Sequence, residues 1–543
     1  MIRRIATVGG LTLVSRLTGF VRDVVMAAIL GAGPLADAFF VAFRLPNHFR
    51  AIFAEGAFAA AFVPAYARTL EQAGLPAAKL FADQIAAALV AINLVLLAIA
   101  LLFTPEVVGL LAPGLSDDPE RYDLAVALTR ITFPYLALVS LETLFAGILN
   151  ANNRFAAAAG APVLLNLSVI ANLLLTPYFA DAGHAAAWGV LIAGVVQVLF
   201  VGIDAEAHGY GIRFRLPKLD EPTRRFLKAL GPAIIGAGGV QLALFADTVI
   251  ATFLPTGALS ALYYADRINQ LPIGVVGIAV GTVLLPEMSR RLAAGDDKGA
   301  ASAQARGIQL ALLLTVPCAA AALAIPDLIM RALFARGAFT SADALAAGST
   351  LAAYSVGLLP FVLLRSFTAP FYARGDTATP VKAALLAAAI NVALKIVLMG
   401  PLAQVGLALA TSIGAWINLS LLAYLARRQG FAISGGAIGK PAAKMIAIGV
   451  VLAAALFAGA YWLNHALSGL MRFHDETILA ILIVFGGILY FALVFALLGR
   501  NWFMGLLREV STAADAPAPS ELAPPDPIED SAALPDGEPP PRG

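Results

Sequence analysis

Residues 15–31 read SRLTGFVRDVVMAAILG, and three charged side chains, Arg16, Arg22 and Asp23, interrupt this otherwise apolar stretch. A charge at the centre of a bilayer costs on the order of 3 kcal/mol or more, so charged residues inside membrane helices face a water-filled cavity or a buried partner. The stretch therefore raises two questions: whether the chain spans a membrane, and what its charges bind.

The composition answers the first question. Of the 543 residues, 60% are hydrophobic and only 13% are charged, whereas soluble domains carry about 25% charged residues. No soluble core could bury so much apolar sequence, so the bilayer must be the solvent of this chain. The formal net charge of +2 gives no basis for a nucleic-acid partner. We therefore expect a membrane protein that binds no nucleic acid.

Enzyme and metal chemistry find little support in the sequence. Five scattered histidines form no His-x-x-x-His pair, and the one cysteine, Cys318, lies in an apolar run. Neither pattern is typical of a metal site or a disulfide framework. The chain also lacks a GxxxxGK[ST] phosphate loop, the segment that cradles nucleotide phosphates. We therefore expect a transporter rather than an enzyme, with no firm metal site.

Apolar runs of about twenty residues, the length that a helix needs to cross about 30 Å of hydrocarbon, recur throughout the chain. About fourteen such spans are predicted, at 5–30, 34–63, 80–104, 123–150, 158–178, 185–204, 225–253, 258–287, 305–334, 345–372, 380–399, 402–425, 440–465 and 476–500. The fold class is therefore an all-α polytopic membrane protein.

Two pairs of similar segments indicate an internal repeat. VPAYARTL at 63–70 resembles LPEMSRRL at 285–292, and residues 145–175 resemble residues 369–398 at nearly the same offset. Six predicted helices separate the members of each pair, and an even number preserves orientation. The pattern therefore predicts two parallel six-helix lobes around a central cavity, plus two C-terminal helices. Chance similarity between Ala- and Leu-rich helices is the alternative.

The repeat and the loops define the predicted domain organisation. Lys and Arg concentrate in alternate loops, with Arg336 and Arg472 as exceptions, which places both termini in the cytoplasm. The last residues are Pro-rich and acidic, a composition typical of disorder. The predicted parts are an N-lobe (1–205), a cytoplasmic linker (206–224), a C-lobe (225–428), two C-terminal helices (429–505) and a disordered tail (506–543).

The charges inside the predicted spans bear on the second question. In the first two predicted helices and the eighth taken together, arginines outnumber the acids that could be their partners inside the membrane, and Arg16 and Arg267 lie well inside their spans. A structural pair such as Arg22–Asp23 or Asp266–Arg267 explains individual charges but not the surplus. A surplus of guanidinium groups in a cavity favours an anionic ligand, because arginine binds phosphate oxygens in pairs.

Three segments carry a family resemblance: SRLTGFVRDVVMAAILGAGPLADAFFVAFRLPNHFRAIFAEGAFAAAFVPAY (15–66), ALYYADRINQLPIGVVGIAVGTVLLPEMSR (261–290) and APFYARGDTATPVK (369–382). They resemble the lipid II flippase family of the MurJ/MviN type, in a superfamily of multidrug, oligosaccharidyl-lipid and polysaccharide exporters. The resemblance extends to about residue 505 and implies two six-helix lobes with two extra C-terminal helices. It also implies movement of lipid II, an undecaprenyl-pyrophosphate-linked disaccharide-pentapeptide, between leaflets of the bacterial inner membrane by alternating access.

The resemblance further implies roles for individual residues. The last two predicted helices would form an apolar groove for the lipid tail, and we expect a monomer among membrane lipids, with cell-wall synthesis enzymes as further partners. The implied substrate-binding arginines are Arg16, Arg22, Arg50, Arg267 and Arg365, and the implied functional acids are Asp37, Glu55 and Asp266.

A sodium ion is the one cofactor that the resemblance suggests. Some family members have a sodium site in the C-terminal lobe, and Asp247 and Asp376 match two of its acidic positions, whereas Tyr372 stands where an asparagine ligand is expected. The membrane potential is the alternative energy source. The alternative functions are a flippase for another lipid-linked oligosaccharide, a MATE-like exporter, and a non-transporting structural or signalling membrane protein.

Overall fold

The computed structural model describes residues 2–50, 58–213, 221–431, 435–469 and 473–506, and this part of the chain contains helices but no strand. Glu55 and the predicted tail from residue 507 onward lie outside it. The helices are α1 Ile2–Leu30, α2 Pro34–Arg50, α3 Ala59–Leu102, α4 Thr104–Leu111, α5 Pro119–Thr132, α6 Pro134–Ala151, α7 Ala156–Leu174, α8 Ala182–Ala207, α9 Glu221–Thr252, α10 Ala258–Ala293, α11 Asp297–Ala324, α12 Pro326–Phe334, α13 Ser341–Ser355, α14 Leu358–Tyr372, α15 Ala378–Arg428, α16 Gly435–Ala466 and α17 His474–Leu498.

The all-helical membrane fold predicted from the sequence is confirmed. Within the described residues, nine helical segments are long and apolar enough to cross a membrane, judged by length and composition. The number fourteen stays a prediction, because several helices depart from the predicted spans. Two predicted spans lie in α15 alone, where Ala403 has a non-helical backbone (φ 46°) at the boundary between them.

Residues 66–79, predicted as a polar loop, are helical instead. They belong to α3, which continues through them with one non-helical residue, Gly74 (φ 76°). The hydropathy pattern marks only the apolar part of a helix, so it misses a polar extension beyond the membrane. Gly74 suits the interruption because glycine adopts positive φ without the steric cost of a side chain.

Prolines divide other predicted spans and loops into separate helices. Pro119, Pro134 and Pro326 are the first residues of α5, α6 and α12, a position that tolerates proline because its missing N–H has no intrahelical partner there. The predicted span 305–334 is therefore two helices, α11 and α12. The predicted loop 105–123 contains most of α4 and the start of α5.

The helices pack in two groups, α1–α8 and α9–α15, although α9 packs against α3 of the first group as well as α15 of the second; the predicted bounds of the two lobes stay a prediction. Among α1–α8, α7 packs against α1 and α8, α6 against α3 and α8, and α2 against α5; among α9–α15, α10 packs against α11, α13 and α14. Helix α16 packs against α11 and α17, so the C-terminal pair lies beside the second group. Superposition of the two groups stays a prediction.

The two groups are joined at the end of the molecule where α1 meets α2, here called the turn end. The amide of Ala338 donates a 2.8 Å hydrogen bond to the carbonyl of Ala28. A Cβ atom on Gly337, whose φ is +59°, would lie 2.1 Å from that carbonyl oxygen, so only glycine permits this approach. The largest hydrophobic cluster lies here and contains side chains of both groups, whereas the cluster around Met288 and Met445 belongs to α10 and later helices alone.

Candidate functional site

Two arginines from the two groups meet at one carboxylate. Asp23 of α1 accepts hydrogen bonds from Arg22 Nη2 (2.7 Å) and Nε (3.1 Å), and Arg267 Nε of α10 lies 3.0 Å from its other oxygen as an ion-pair contact. Arg22 and Asp23 are 5% and 2% exposed. The structure therefore brings together Arg22 and Arg267, two of the arginines that the sequence singled out.

Tyr263 of α10 connects these charges. Its hydroxyl donates to Asp23 (3.0 Å) and accepts from Arg22 (3.2 Å) and Arg267 (3.1 Å). Its ring stacks on Phe40 of α2, with the ring centroids 4.0 Å apart. The guanidinium of Arg267 also lies 5.2 Å from the centre of the Tyr263 ring, within the range of a cation–π contact. Tyr263 thus holds both arginines in place.

Asn166 of α7 holds the same network from the other side. Its Oδ1 accepts from Arg22 Nη1 (3.0 Å), and its amide nitrogen donates to the Ser15 carbonyl (3.0 Å) and to Thr18 Oγ1 (3.1 Å). Sequence reasoning missed the roles of Tyr263 and Asn166. The one available signal for Asn166 was its position, a polar residue after Pro162 in a repeated segment.

A cavity of 560 Å³ opens beside this network, between α1, α7 and α10. Its charged lining residues are Arg16, Arg22, Asp23 and Arg267, three guanidinium groups and one carboxylate. Arg16 is exposed and makes no hydrogen bond or ion pair with any residue that the structure describes. A Cβ atom on Gly274 would lie 2.4 Å from Arg16 Nη1, so the absence of a side chain there leaves room for the guanidinium.

Asp37 lies at the turn end, outside the cavity lining. It is fully buried and accepts hydrogen bonds from the Gly257 amide (2.7 Å), the Ser260 amide (3.0 Å), the Ser260 hydroxyl (2.7 Å) and Arg121 Nη2 (3.2 Å). Gly257 is the N-cap residue of α10. Asp37 of α2 therefore caps a helix of the other group and fastens the two groups together, rather than orienting the cavity arginines.

The other predicted site residues do not line the cavity or lie outside the described part of the chain. Arg50 ends α2, but its side chain lies outside the described part of the chain, as does all of Glu55. Arg365 of α14 is exposed and lies beside Gly277 and Gly281 of α10, but it is not among the residues lining the cavity. Asp266 of α10 accepts a hydrogen bond from Gln270, which lines the cavity.

The two acids proposed for a sodium site do not meet. Asp247 of α9 forms an ion pair with Lys395 of α15, whereas Asp376 precedes the first turn of α15, where it accepts a 2.9 Å hydrogen bond from the Thr379 amide. Lys395 and the start of α15 are about 25 Å apart at 1.5 Å per residue. The hydrogen bond from Thr379 lowers the pKa of Asp376. The residues present therefore do not fit one ion site built from Asp247 and Asp376.

An apolar cavity of 460 Å³ lies between α11, α16 and α17. Leu313, Leu452, Leu456 and Leu482 are among its lining residues, and Tyr490 closes one side with its hydroxyl bonded to the Leu313 carbonyl. The cavity involves the two C-terminal helices, the region where a lipid-tail groove is predicted.

The two cavities have the chemistry that the two ends of an amphipathic anion require. Three guanidinium groups around one carboxylate leave positive charge for an anionic ligand, and paired N–H donors match phosphate oxygens. The apolar cavity offers a separate surface for hydrocarbon.

Comparison with known proteins gives consistent results. A family model described as "Lipid II flippase MurJ" matches residues 26–480. A Rhizobium meliloti protein named "Probable lipid II flippase MurJ" is 42% identical over 522 residues, covering 95% of this chain and 97% of that protein. A protein of the same name from Rhizobium tropici is 39% identical over 529 residues, covering 96% and 98% of the two chains.

Solved structures share the fold. One described as "Lipid II flippase MurJ, inward closed conformation" matches with a TM-score of 0.75 at 25% identity, covering 90% of this chain and 98% of that chain. An inward-facing multidrug resistance MATE family transporter of the MOP superfamily matches with a TM-score of 0.63 at 16% identity, covering 76% and 94% of the two chains.

Proposed function

This chain belongs to the lipid II flippase MurJ family, and we propose that its cavity arginines bind the pyrophosphate of lipid II during transport from the inner to the outer leaflet. The protein is a multi-pass transporter of the bacterial inner membrane, not an enzyme, and its substrate is lipid II. Family membership thus decides against the alternative functions of a drug exporter, a flippase for another oligosaccharide and a non-transporting protein.

The surplus of positive charge in the cavity is the observation that carries this proposal. Arg22 is satisfied by Asp23, Tyr263 and Asn166, but Arg16 has no partner among the described residues. Guanidinium groups crowded near one another repel, and an anion relieves that repulsion. A pyrophosphate carries several acceptor oxygens, so it can bind more than one guanidinium at once.

The arginines also link ligand binding to movement of the two groups of helices. Arg16 and Arg22 belong to α1, whereas Arg267 belongs to α10, so an anion between them draws α1 and α10 together. We place the turn end at the outer face and both termini in the cytoplasm, which makes the contacts of Asp37 an outer gate. In this scheme the gate is closed while the cavity receives substrate from the inner leaflet.

The remaining parts of the scheme are also proposals. The apolar cavity beside α16 and α17 accommodates hydrocarbon of the lipid tail, and the membrane potential, worth about 2.3 kcal/mol per charge per 100 mV, supplies the driving force. We expect a monomer that works beside cell-wall synthesis enzymes. No cofactor takes part in this scheme.

The test is growth of a strain depleted of its own flippase, combined with a leaflet-resolved assay of lipid II accessibility. Arg267→Ala should abolish growth and leave lipid II in the inner leaflet, whereas Arg267→Lys should restore growth only partly, because lysine keeps the charge but loses the paired donors. Arg225→Ala is the matched control, since Arg225 lies on an exposed helix surface paired with Glu221. Normal lipid II export by well-expressed Arg267→Ala protein would contradict the proposal.

A further inference from the structure

A second group of charges lies outside the lining of the cavity and touches that lining where Asp266 accepts a hydrogen bond from Gln270. Lys395 of α15 is 3% exposed and forms an ion pair with Asp247 of α9. Lys395 also interacts electrostatically with Arg44 of α2 and Asp266 of α10. We call these four residues the balanced cluster, because it contains two cations and two carboxylates.

Access to Asp247 is asymmetric. The Asp247 side chain is 34% exposed, whereas that of Lys395 is 4% exposed. The Asp247 carboxylate is therefore partly accessible from outside the protein, although the ammonium group that pairs with it is buried. A small ion could approach this carboxylate without unfolding a helix, if no ammonium group already neutralised it.

An unused oxygen lies on the same face of α15. Asn391 precedes Lys395 by four residues, so the two side chains project from adjacent turns of one helix face. The Asn391 Oδ1 atom is buried and has no hydrogen-bond partner among the described residues. Carboxylate and amide oxygens are the ligands that hard cations prefer, yet the cation beside Asp247 is a side chain.

We propose that Lys395 is a built-in cation, whose ammonium group occupies the place beside Asp247 that a free monovalent cation would otherwise take. With Lys395 present, the balanced cluster is neutral, and a sodium ion would add an excess positive charge next to an ammonium. Without it, Asp247 and Asp266 outnumber Arg44, and the Asp247 carboxylate and Asn391 Oδ1 are free to bind sodium. This inference does not depend on the role of the cavity arginines.

The test is thermal unfolding of the purified full-length protein in sodium chloride and in the same concentration of N-methyl-D-glucamine chloride. An ion that binds only the folded protein raises its unfolding temperature. The wild-type protein should unfold at the same temperature in both salts, because its site is already filled. Lys395→Gln should unfold at a temperature about 2 °C or more higher in sodium. Asp247→Asn combined with Lys395→Gln should lose that difference.

Lys444→Gln is the matched control, because Lys444 bonds to the Leu497 carbonyl and has no carboxylate partner among the described residues; it should show no sodium effect. Sodium-specific stabilisation of the wild-type protein would overturn the proposal, as would a Lys395→Gln protein indifferent to sodium. If Lys395→Gln is recovered only when purified in sodium, the proposal is supported. If it is recovered in neither salt, sodium cannot replace the ammonium and the proposal fails.

Discussion

The cavity and the balanced cluster place arginine or lysine beside aspartate inside the same membrane protein, but their charge ratios differ. The cavity lining has three guanidinium groups for one carboxylate, whereas the balanced cluster has two cations for two carboxylates. An excess of like charge is stabilised when a ligand arrives, and a neutral set is complete without one. We therefore propose that the ratio of charges, rather than their presence in the membrane, distinguishes a binding site from a structural contact.

The largest effect is expected from the arginine that has no partner in the protein. Arg16→Ala should abolish growth of a depleted strain, because it removes the proposed contact with the ligand, yet leave the unfolding temperature unchanged, because Arg16 bonds to no described residue. Plating efficiency tests the expected loss of growth, and thermal unfolding of the same variant tests the expected unchanged stability. A large drop in unfolding temperature would place Arg16 among the structural charges and weaken the contrast.

Paired neutralisation should separate the two regions. Lys395→Gln in sodium-free buffer should lower the free energy of unfolding by up to about 3 kcal/mol, because it leaves a partly buried carboxylate unpaired. Adding Asp247→Asn should recover most of that loss. In the cavity, Arg22→Gln with Asp23→Asn leaves the net charge unchanged but should not recover transport, because the paired donors of Arg22 are gone and Arg267 has lost the carboxylate that holds it. Denaturation curves and complementation measure these outcomes; recovery of growth by the cavity pair would erase the distinction.

A smaller effect is expected from the glycine that makes room for Arg16. Gly274→Ala places a Cβ 2.4 Å from Arg16 Nη1, so the flexible guanidinium must move and transport should fall several-fold without loss of folded protein. Gly277→Ala is the control on the same helix, because its Cβ would make only an ordinary 3.9 Å contact with Arg365. The measurement is the initial rate of lipid II export by the Gly274→Ala and Gly277→Ala proteins. Equal rates would show that the position of Arg16 is not critical.

The smallest effect is expected at Asp376, which belongs to neither region. Its hydrogen bond with Thr379 lowers its pKa, so its stabilising contribution is present above the ordinary carboxyl pKa and is lost as the pH falls through the lowered value. Asp376→Asn keeps a capping oxygen and should unfold at nearly the wild-type temperature at pH 7. The Asp376→Asn protein should lack the part of the stability that the wild-type protein loses as Asp376 is protonated, as melting curves between pH 7 and pH 3 would show. A large loss at pH 7 would assign Asp376 a role beyond capping.

The sequence predicted which charged residues lie inside the membrane better than it predicted which residues they contact. Charges in apolar runs identified Arg16 and Arg267, because hydropathy is a local property. The contacts of Arg22 with Asn166 and Tyr263 span 144 and 241 residues, and no local pattern reports such distances. For the same reason Lys395 could be recognised as an intramembrane charge but not as the partner of Asp247.

Some helix bounds could likewise be predicted from the sequence and others could not. The spans at the ends of the chain were close to α1 and α17, because apolar composition and helix length coincide there. For the polar residues of α3 around Gly74 the hydropathy pattern predicts a loop, because a helix that leaves the membrane loses the hydropathy signal but keeps its hydrogen bonds. Prolines that begin α5 and α12 were visible in the sequence, yet whether they start a helix or kink one depends on packing.

The hydrogen bonds that join the two groups at the turn end mean that water must enter when the groups separate there. Asp37 accepts four hydrogen bonds there, and the Ala28 carbonyl accepts one from Ala338. When α10 leaves α2, Asp37 loses the three hydrogen bonds from Gly257 and Ser260 and keeps the one from Arg121. Each polar group that is left unsatisfied costs about 1–3 kcal/mol. Water must therefore enter as the helices separate, and the wetted volume of the gap becomes part of the energy of the open state. Excluded osmolytes such as sucrose, which disfavour newly wetted surface, should slow the outward step.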